Sequence, residues 1–165
     1  MLINKMFISS FKINEKFNDT IKREIYGLKN SWKLDLKNVK ALSSGFNPPY
    51  LFFDILKNQL SKHLSDITNK QFRSSCWWAN FYEPGHYTKP HCHKPEDISS
   101  IIFIKTGKSN PLYFDLNPSS LRIPGILRIQ EYEGLVLFFD SKLIHGVDKC
   151  SEERITLAVD FKQSI

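Results

Sequence analysis

Residues 77–97 read WWANFYEPGHYTKPHCHKPED. Asn80 and Tyr82 fall on one face of an extended chain and Phe81 on the other, Glu83-Pro84-Gly85 supplies a turn, and a second extended run follows. That run ends on His91 and His93, which are two apart and so point to the same side of a strand. Two imidazoles on one side can reach one metal ion. A site needs a third ligand, and of the five histidines (His63, His86, His91, His93 and His145) it is His145 that a neighbouring strand can bring alongside. Taken alone, an H-x-H in a polar loop is more often a solvated pair than a site. The company it keeps makes the pattern specific: Asn80, Tyr82 and Gly85 precede it, and Arg154 and Thr156 follow the distal histidine.

Outward from this stretch, everything after Phe72 consists of short apolar runs broken by Gly, Pro, Asn and Ser, the appearance of an antiparallel β unit. Strands are expected near 74–83, 86–92, 98–105, 111–116, 126–131, 135–139, 144–149 and 153–162, with turns at Gly107, 115–120, Pro124-Gly125 and Gly134. The last strand alternates without a break. Ile155, Leu157, Val159 and Phe161 form an apolar face, and Arg154, Thr156, Ala158 and Asp160 form the face expected to line a barrel mouth.

Upstream, residues 5–13 read as a strand. Residues 18–32 read as a helix, since Phe17, Ile21, Ile25, Leu28 and Trp32 recur at helical spacing. Residues 33–46 show no period, and Asn47-Pro48 offers a helix start. The helix after it shows Phe52, Ile55, Leu56, Leu60, Leu64 and Ile67 on one face, with His63 beside that stripe as a structural residue. The expected class is mainly β with helices: a double-stranded β-helix, or cupin-like jelly roll, buttressed by two N-terminal helices. One domain over 1–165 is expected, with 1–71 as the buttress and 72–165 as the barrel.

Composition sets limits on function. Net charge is +6, from 23 basic and 17 acidic residues, but the lysines are scattered rather than striped, so nucleic-acid binding is not favoured. Cys76, Cys92 and Cys150 are odd in number and lack C-x-x-C spacing, as expected of free thiols in a reducing compartment. The first residues lack the pattern of a signal peptide, and no run approaches the roughly 18 apolar residues of a membrane helix, so a cytoplasmic protein is expected.

An arginine on a barrel-lining strand calls for an anion, and its planar fork suits a carboxylate. Thr156 lies on the same side, and Asn80 and Tyr82 add donors. The alternative is an internal ion pair, for example to Asp160 or Glu133. A metal beside an anion clamp points to a small acidic cosubstrate bridging the two.

These residues resemble the Fe(II)- and 2-oxoglutarate-dependent oxygenases. N-F-Y-E-P-G-x5-H-x-H, from Asn80 to His93, is similar to the strand and loop of prolyl-hydroxylase-like and alkylated-nucleobase-repair members, and H-x8-R-x-T, from His145 to Thr156, to their distal ligand and cosubstrate clamp. The opening MFISSFKINEKFNDTIKREIYGLK (6–29) and the H-C-H-K-P loop are similar to a branch of such oxygenases in bacteria and phages. The resemblance implies His91 and His145 as iron ligands, Arg154 and Thr156 on the distal carboxylate of 2-oxoglutarate, and Asn80 and Tyr82 as further cosubstrate contacts. It implies Fe(II), 2-oxoglutarate and dioxygen, with decarboxylation to succinate coupled to oxidation of a prime substrate, as in a hydroxylase. The resemblance does not name that substrate, which is expected to be a small molecule or a protein or peptide.

His93 departs from the pattern, which more commonly has a carboxylate there. Strand geometry favours His93 as third ligand, while Asp97 or Glu96 would have to fold back to replace it. Trp78, Tyr87 and His86 are candidates for the substrate mouth. Two readings from other classes compete. A three-histidine cupin-type dioxygenase would not use 2-oxoglutarate, and Gly85-x5-His91-x-His93 fits a cupin opening, but the P-x-G expected before the distal histidine is replaced by Asp140-Ser141-Lys142. The other is a non-catalytic β-sandwich binding module in which three histidines hold structural zinc.

Overall fold

The structure, a computed structural model, describes residues 7–35, 39–109, 111–116 and 125–164. Residues 5–6 of the expected first strand and the turn positions across 117–124 lie outside the described residues.

Strand β1 (Phe7–Lys12) leads into α1 (Glu15–Leu28), which a short 3-10 turn, Lys29–Ser31, extends. The helix begins three residues earlier than the apolar spacing alone indicates, because the Asn14 side chain accepts from the Lys16 N–H and caps it. Residues without a clear period form two short strands, β2 (Lys33–Asp35) and β3 (Val39–Ser43). Helix α2 (Leu51–Thr68) starts after both prolines instead of at Pro48, since a residue that precedes proline is held out of the helical region. Asn47 is not its cap. Its side chain accepts from Trp77 N–H at 3.0 Å and its own N–H donates to Trp77 O at 2.8 Å, so it ties the loop to a strand.

The buried face of α2 is Phe52, Phe53, Leu56, Leu60 and Leu64, whereas Ile55 is 57% and Ile67 44% exposed. The expected stripe is rotated because Phe53 stacks on Trp77 with ring centroids 3.8 Å apart. His63 donates to or accepts from Ser9 Oγ at 3.0 Å and lies against Phe11 and Phe138, as expected of a structural residue.

All eight of the later strands are present: β4 (Phe72–Tyr82), β5 (Tyr87–His91), β6 (Ile98–Lys105), β7 (Leu112–Asp115), β8 (Ile126–Arg128), β9 (Leu135–Asp140), β10 (His145–Val147) and β11 (Arg154–Gln163). The pairings run β1-β9-β6-β11-β4-β3 and then β3-β5-β10-β7-β8, every pair antiparallel, with β2 beside β3. Strand β3 serves both sheets, pairing through Leu42 and Ser43 with β4 and through Val39 and Lys40 with β5. This is a double-stranded β-helix with two helices packed on its larger sheet.

Alternation along the strands makes two apolar layers. Ile102, Ile104, Val136, Phe138, Ile155, Leu157, Val159 and Phe161 face Ile21, Ile25, Leu56, Leu60 and Leu64 of the helices. Between the sheets lie Phe103, Leu135, Leu137 and Phe139 against Leu112, Phe114 and Val147. At roughly 1.5–3 kcal/mol for each large side chain removed from water, these layers hold the larger sheet between helices and barrel interior. Among the described residues no helix is long and apolar enough to cross a membrane.

Candidate metal centre and adjoining cavity

Strands β5 and β10 are neighbours, and their register places His91 directly opposite His145. His93 follows β5, and its N–H donates to Ser141 O at 2.8 Å, which pins the H-C-H loop to the connection between β9 and β10. The three rings meet, with centroids 4.5 Å apart for His91 and His145, 5.0 Å for His91 and His93, and 4.9 Å for His93 and His145. One nitrogen from each lies within 4.8 Å of the others.

The partners of the opposite nitrogens decide the chemistry. His91 Nδ1 faces Lys89 O at 2.9 Å, His145 Nδ1 faces Leu143 O at 3.0 Å, and His93 Nδ1 faces Asp160 Oδ1 at 2.9 Å. Carbonyls and carboxylates only accept, so each Nδ1 carries the proton and each Nε2 presents a lone pair. His91 Nε2 and His93 Nε2 are 3.0 Å apart. Two lone pairs at that distance repel, and a cation between them turns repulsion into coordination. An octahedral ion with metal–nitrogen bonds of about 2.1 Å has adjacent donors about 3 Å apart.

Burial, joined by the neighbouring His93 and His91, pushes the His145 pKa down to about 3. Burial also lowers that of His91. Both rings are therefore neutral near pH 7, the state in which an imidazole can bind a metal. Ser99 Oγ donates to Asp160 Oδ1 at 2.7 Å and lies 3.1 Å from His93 Nδ1, so Asp160, itself buried, is fixed behind the third imidazole. Gly146 lets β10 fit closely between β7 and β5, since a Cβ there would stand 2.6 Å from Tyr113 Oη on β7 and 3.0 Å from Thr88 O on β5.

The register of β11 with β4 pairs Arg154 with Tyr82, Thr156 with Asn80, Ala158 with Trp78 and Asp160 with Cys76. All eight line a cavity of about 830 Å³ together with the three histidines. The polar face expected on the last strand thus meets the face expected for Asn80 and Tyr82. At the buried end, Tyr82 Oη and Thr88 Oγ1 are hydrogen-bonded at 2.8 Å. Towards the outside the cavity is bordered by Trp78, Leu34 and Phe46, the last 74% exposed and edge-on to Trp78.

Arg154 is 2% exposed and already has a carboxylate partner. Its Nε donates to Glu131 Oε2 at 2.8 Å and its Nη2 to Glu131 Oε1 at 3.2 Å. Burial works against its charge, and Glu131, with Tyr82 and Cys150, more than offsets that, leaving the guanidinium pKa above its ordinary value. The internal ion pair is therefore made, with Glu131 in place of Asp160 or Glu133. Nothing local marks Glu131, whose run Gln130-Glu131-Tyr132-Glu133 has no period and more than one acid.

Asp97 does not join the histidines. It is exposed, and its Oδ2 accepts from Gln163 N–H at 2.9 Å. Glu96 accepts from Ser75 Oγ at 2.7 Å and is likewise outside the cluster. Of the mouth candidates, Trp78 lines the cavity with its ring 5.2 Å from that of His93, while His86 and Tyr87 are not among the lining residues. Sequence reasoning missed Ser99 and Phe46 as well; the paired serines inside the apolar run Ile98–Lys105 are the one local signal for the former.

No protein-family model matches the chain, and no curated protein matches it in sequence. Solved structures do match in fold. A Pseudomonas putida prolyl-4-hydroxylase has a TM-score of 0.76 at 13% identity, over 99% of this chain and 96% of that one. The viral collagen prolyl hydroxylase of Paramecium Bursaria Chlorella virus-1, in its 2-oxoglutarate complex, has 0.69 at 14%, over 99% and 98%. A Trichoplax adhaerens prolyl hydroxylase in complex with a hypoxia inducible factor peptide fragment has 0.76 at 10%, over 98% and 85%. The chain has the double-stranded β-helix fold of the 2-oxoglutarate- and Fe(II)-dependent oxygenases, the prolyl hydroxylases among them.

Proposed function

We propose that the protein is a non-haem Fe(II)-dependent oxygenase, a hydroxylase that takes a 2-oxo acid as cosubstrate, 2-oxoglutarate in the first instance, and oxidises a small-molecule or peptide substrate. The observation that carries this is that the Nδ1 atom of each of three histidines faces an oxygen acceptor, while one ligand nitrogen from each ring lies within 4.8 Å of the others. The donor set fits a divalent ion: His91, His93 and His145 would hold it on one side and leave the other side open. Bound there with a 2-oxo acid and dioxygen, iron supplies oxidative decarboxylation of the 2-oxo acid, coupled to oxidation of a second substrate.

The chain's own residues provide the setting. Lys89 O, Leu143 O and Asp160 hold the imidazoles in the ligating tautomer, so no proton has to leave the rings when the ion arrives. Asn80 and Thr156, both buried, offer neutral donors within the cavity. Trp78 and Phe46 form an apolar border for the substrate end. Three free cysteines fit a reducing, cytoplasmic setting.

A second reading, a three-histidine dioxygenase that needs no 2-oxo acid, is favoured by the Glu131 carboxylate already paired with Arg154. One experiment separates the two: anaerobic loading with Fe(II), then 2-oxoglutarate, followed by melting temperature and, on admitting air, succinate release. Under the first reading both additions stabilise, each by about 2.7 kcal/mol at one hundred times its dissociation constant. A shift with metal and none with 2-oxoglutarate supports the second. No shift with metal sinks both.

A further inference from the structure

The buried end of the cavity poses a charge question. Arg154 lines the cavity, and Glu131 does not. The carboxylate approaches from behind, held by Leu112 N–H at 2.9 Å as well as by the guanidinium, with its side chain fully buried. Tyr82 stands under the guanidinium at 5.0 Å and spends its hydroxyl on Thr88. Beside them Leu112 pairs with Val147 across β7 and β10, and both line the cavity. The end that would receive the far terminus of a cosubstrate thus combines an ion pair of no net charge with two aliphatic side chains.

Formal charge in the buried part leads to the same place. A divalent ion on three neutral imidazoles, Asp160 behind one of them, the Arg154–Glu131 pair and a single carboxylate on the ion cancel to zero. A second carboxylate at the far end would leave one buried negative charge, close to Glu131, for neutral donors to satisfy.

We infer that Glu131 is the residue that sets cosubstrate selectivity: by cancelling Arg154 it lets the site take 2-oxo acids with an uncharged tail about as well as 2-oxoglutarate. The inference rests on the 2-oxo acid reading of the site. An arginine without such a partner favours a charged terminus through charge-assisted hydrogen bonds, an advantage on the order of tenfold or more. With Glu131 in place that advantage is largely spent inside the protein.

The test compares 2-oxoglutarate with 2-oxopentanoate, which has the same carbon count and ends in a methyl group. Binding to manganese-loaded protein without oxygen is measured by calorimetry, so no turnover is needed. In the wild type the two dissociation constants should lie within tenfold of each other. In Glu131→Gln, which keeps the shape and frees the guanidinium charge, preference for 2-oxoglutarate should grow at least tenfold. A wild-type preference above tenfold overturns the inference and leaves the oxygenase reading standing. Failure of the loaded wild type to bind either acid overturns both. The wild-type ratio decides the matter even where Glu131→Gln does not fold, and a folded variant whose ratio is unchanged reduces Glu131 to a structural partner.

Discussion

Asp160→Asn separates metal binding from folding. Asp160 Oδ1 accepts from Ser99 Oγ at 2.7 Å and from His93 Nδ1 at 2.9 Å, and the residue is 5% exposed. Asparagine keeps the acceptor oxygen and the shape but removes the negative charge that makes His93 a stronger donor to a cation. Loss of such a carboxylate behind a metal-bound histidine costs about 10–100-fold in metal affinity, or about 1.4–2.7 kcal/mol. Asparagine should sit near the tenfold end, because the hydrogen bond survives, and Asp160→Ala near the hundredfold end. The metal-free protein should respond differently. A buried carboxylate is costlier to desolvate than an amide, so the melting temperature without metal should hold or rise in Asp160→Asn. Manganese titration by calorimetry, paired with thermal unfolding of the metal-free protein, reads both quantities. Metal affinity within twofold of wild type would refute the argument. So would a drop in metal-free stability as large as the loss in metal binding, which would make Asp160 a packing residue.

Two further outcomes follow from the same geometry. Asp97→Ala should keep metal binding and lose about 1 kcal/mol of stability, the worth of its bond to Gln163 N–H, whereas His93→Ala and His145→Ala should each lose the metal; the reverse pattern would make Asp97 the third ligand. In the metal-free protein the folded-state pKa of His145, at about 3, lies below the ordinary 6.5. The unfolded chain then takes up a proton below about pH 6.5 that the folded chain refuses, so this contribution to stability is full above pH 6.5 and is lost as pH falls towards 3, by about 3 kcal/mol at pH 4. Denaturant melts at pH 7 and pH 4 should show this loss in wild type and lack it in His145→Gln; parallel profiles would refute it.

Much of the architecture was legible in local pattern. A period of two along residues 154–161 assigned Ile155, Leu157, Val159 and Phe161 to the helices and Arg154, Thr156 and Asp160 to the cavity, and the structure places them so. His91 and His93 could be put on one side of a chain because the spacing of side chains in an extended backbone is a local property. Where a competing local force acted, pattern misled. Two prolines delayed α2, and Phe53, drawn onto Trp77, turned the helix so that Ile55 and Ile67 face outward.

What the chain could not disclose residue by residue was which groups meet across the barrel. His145 lies opposite His91, Asp160 behind His93 and Glu131 behind Arg154, in each case through sheet pairing or loop return over long separations in sequence. An acid two positions away, Glu133, looks equivalent in the sequence but takes Lys22 on the surface instead. The residue types and their side of the strand follow from short-range covalent geometry. Which charge cancels which is decided only when the sheets close, because the energy of a buried ion depends on the neighbours within hydrogen-bond reach, and closure selects those neighbours.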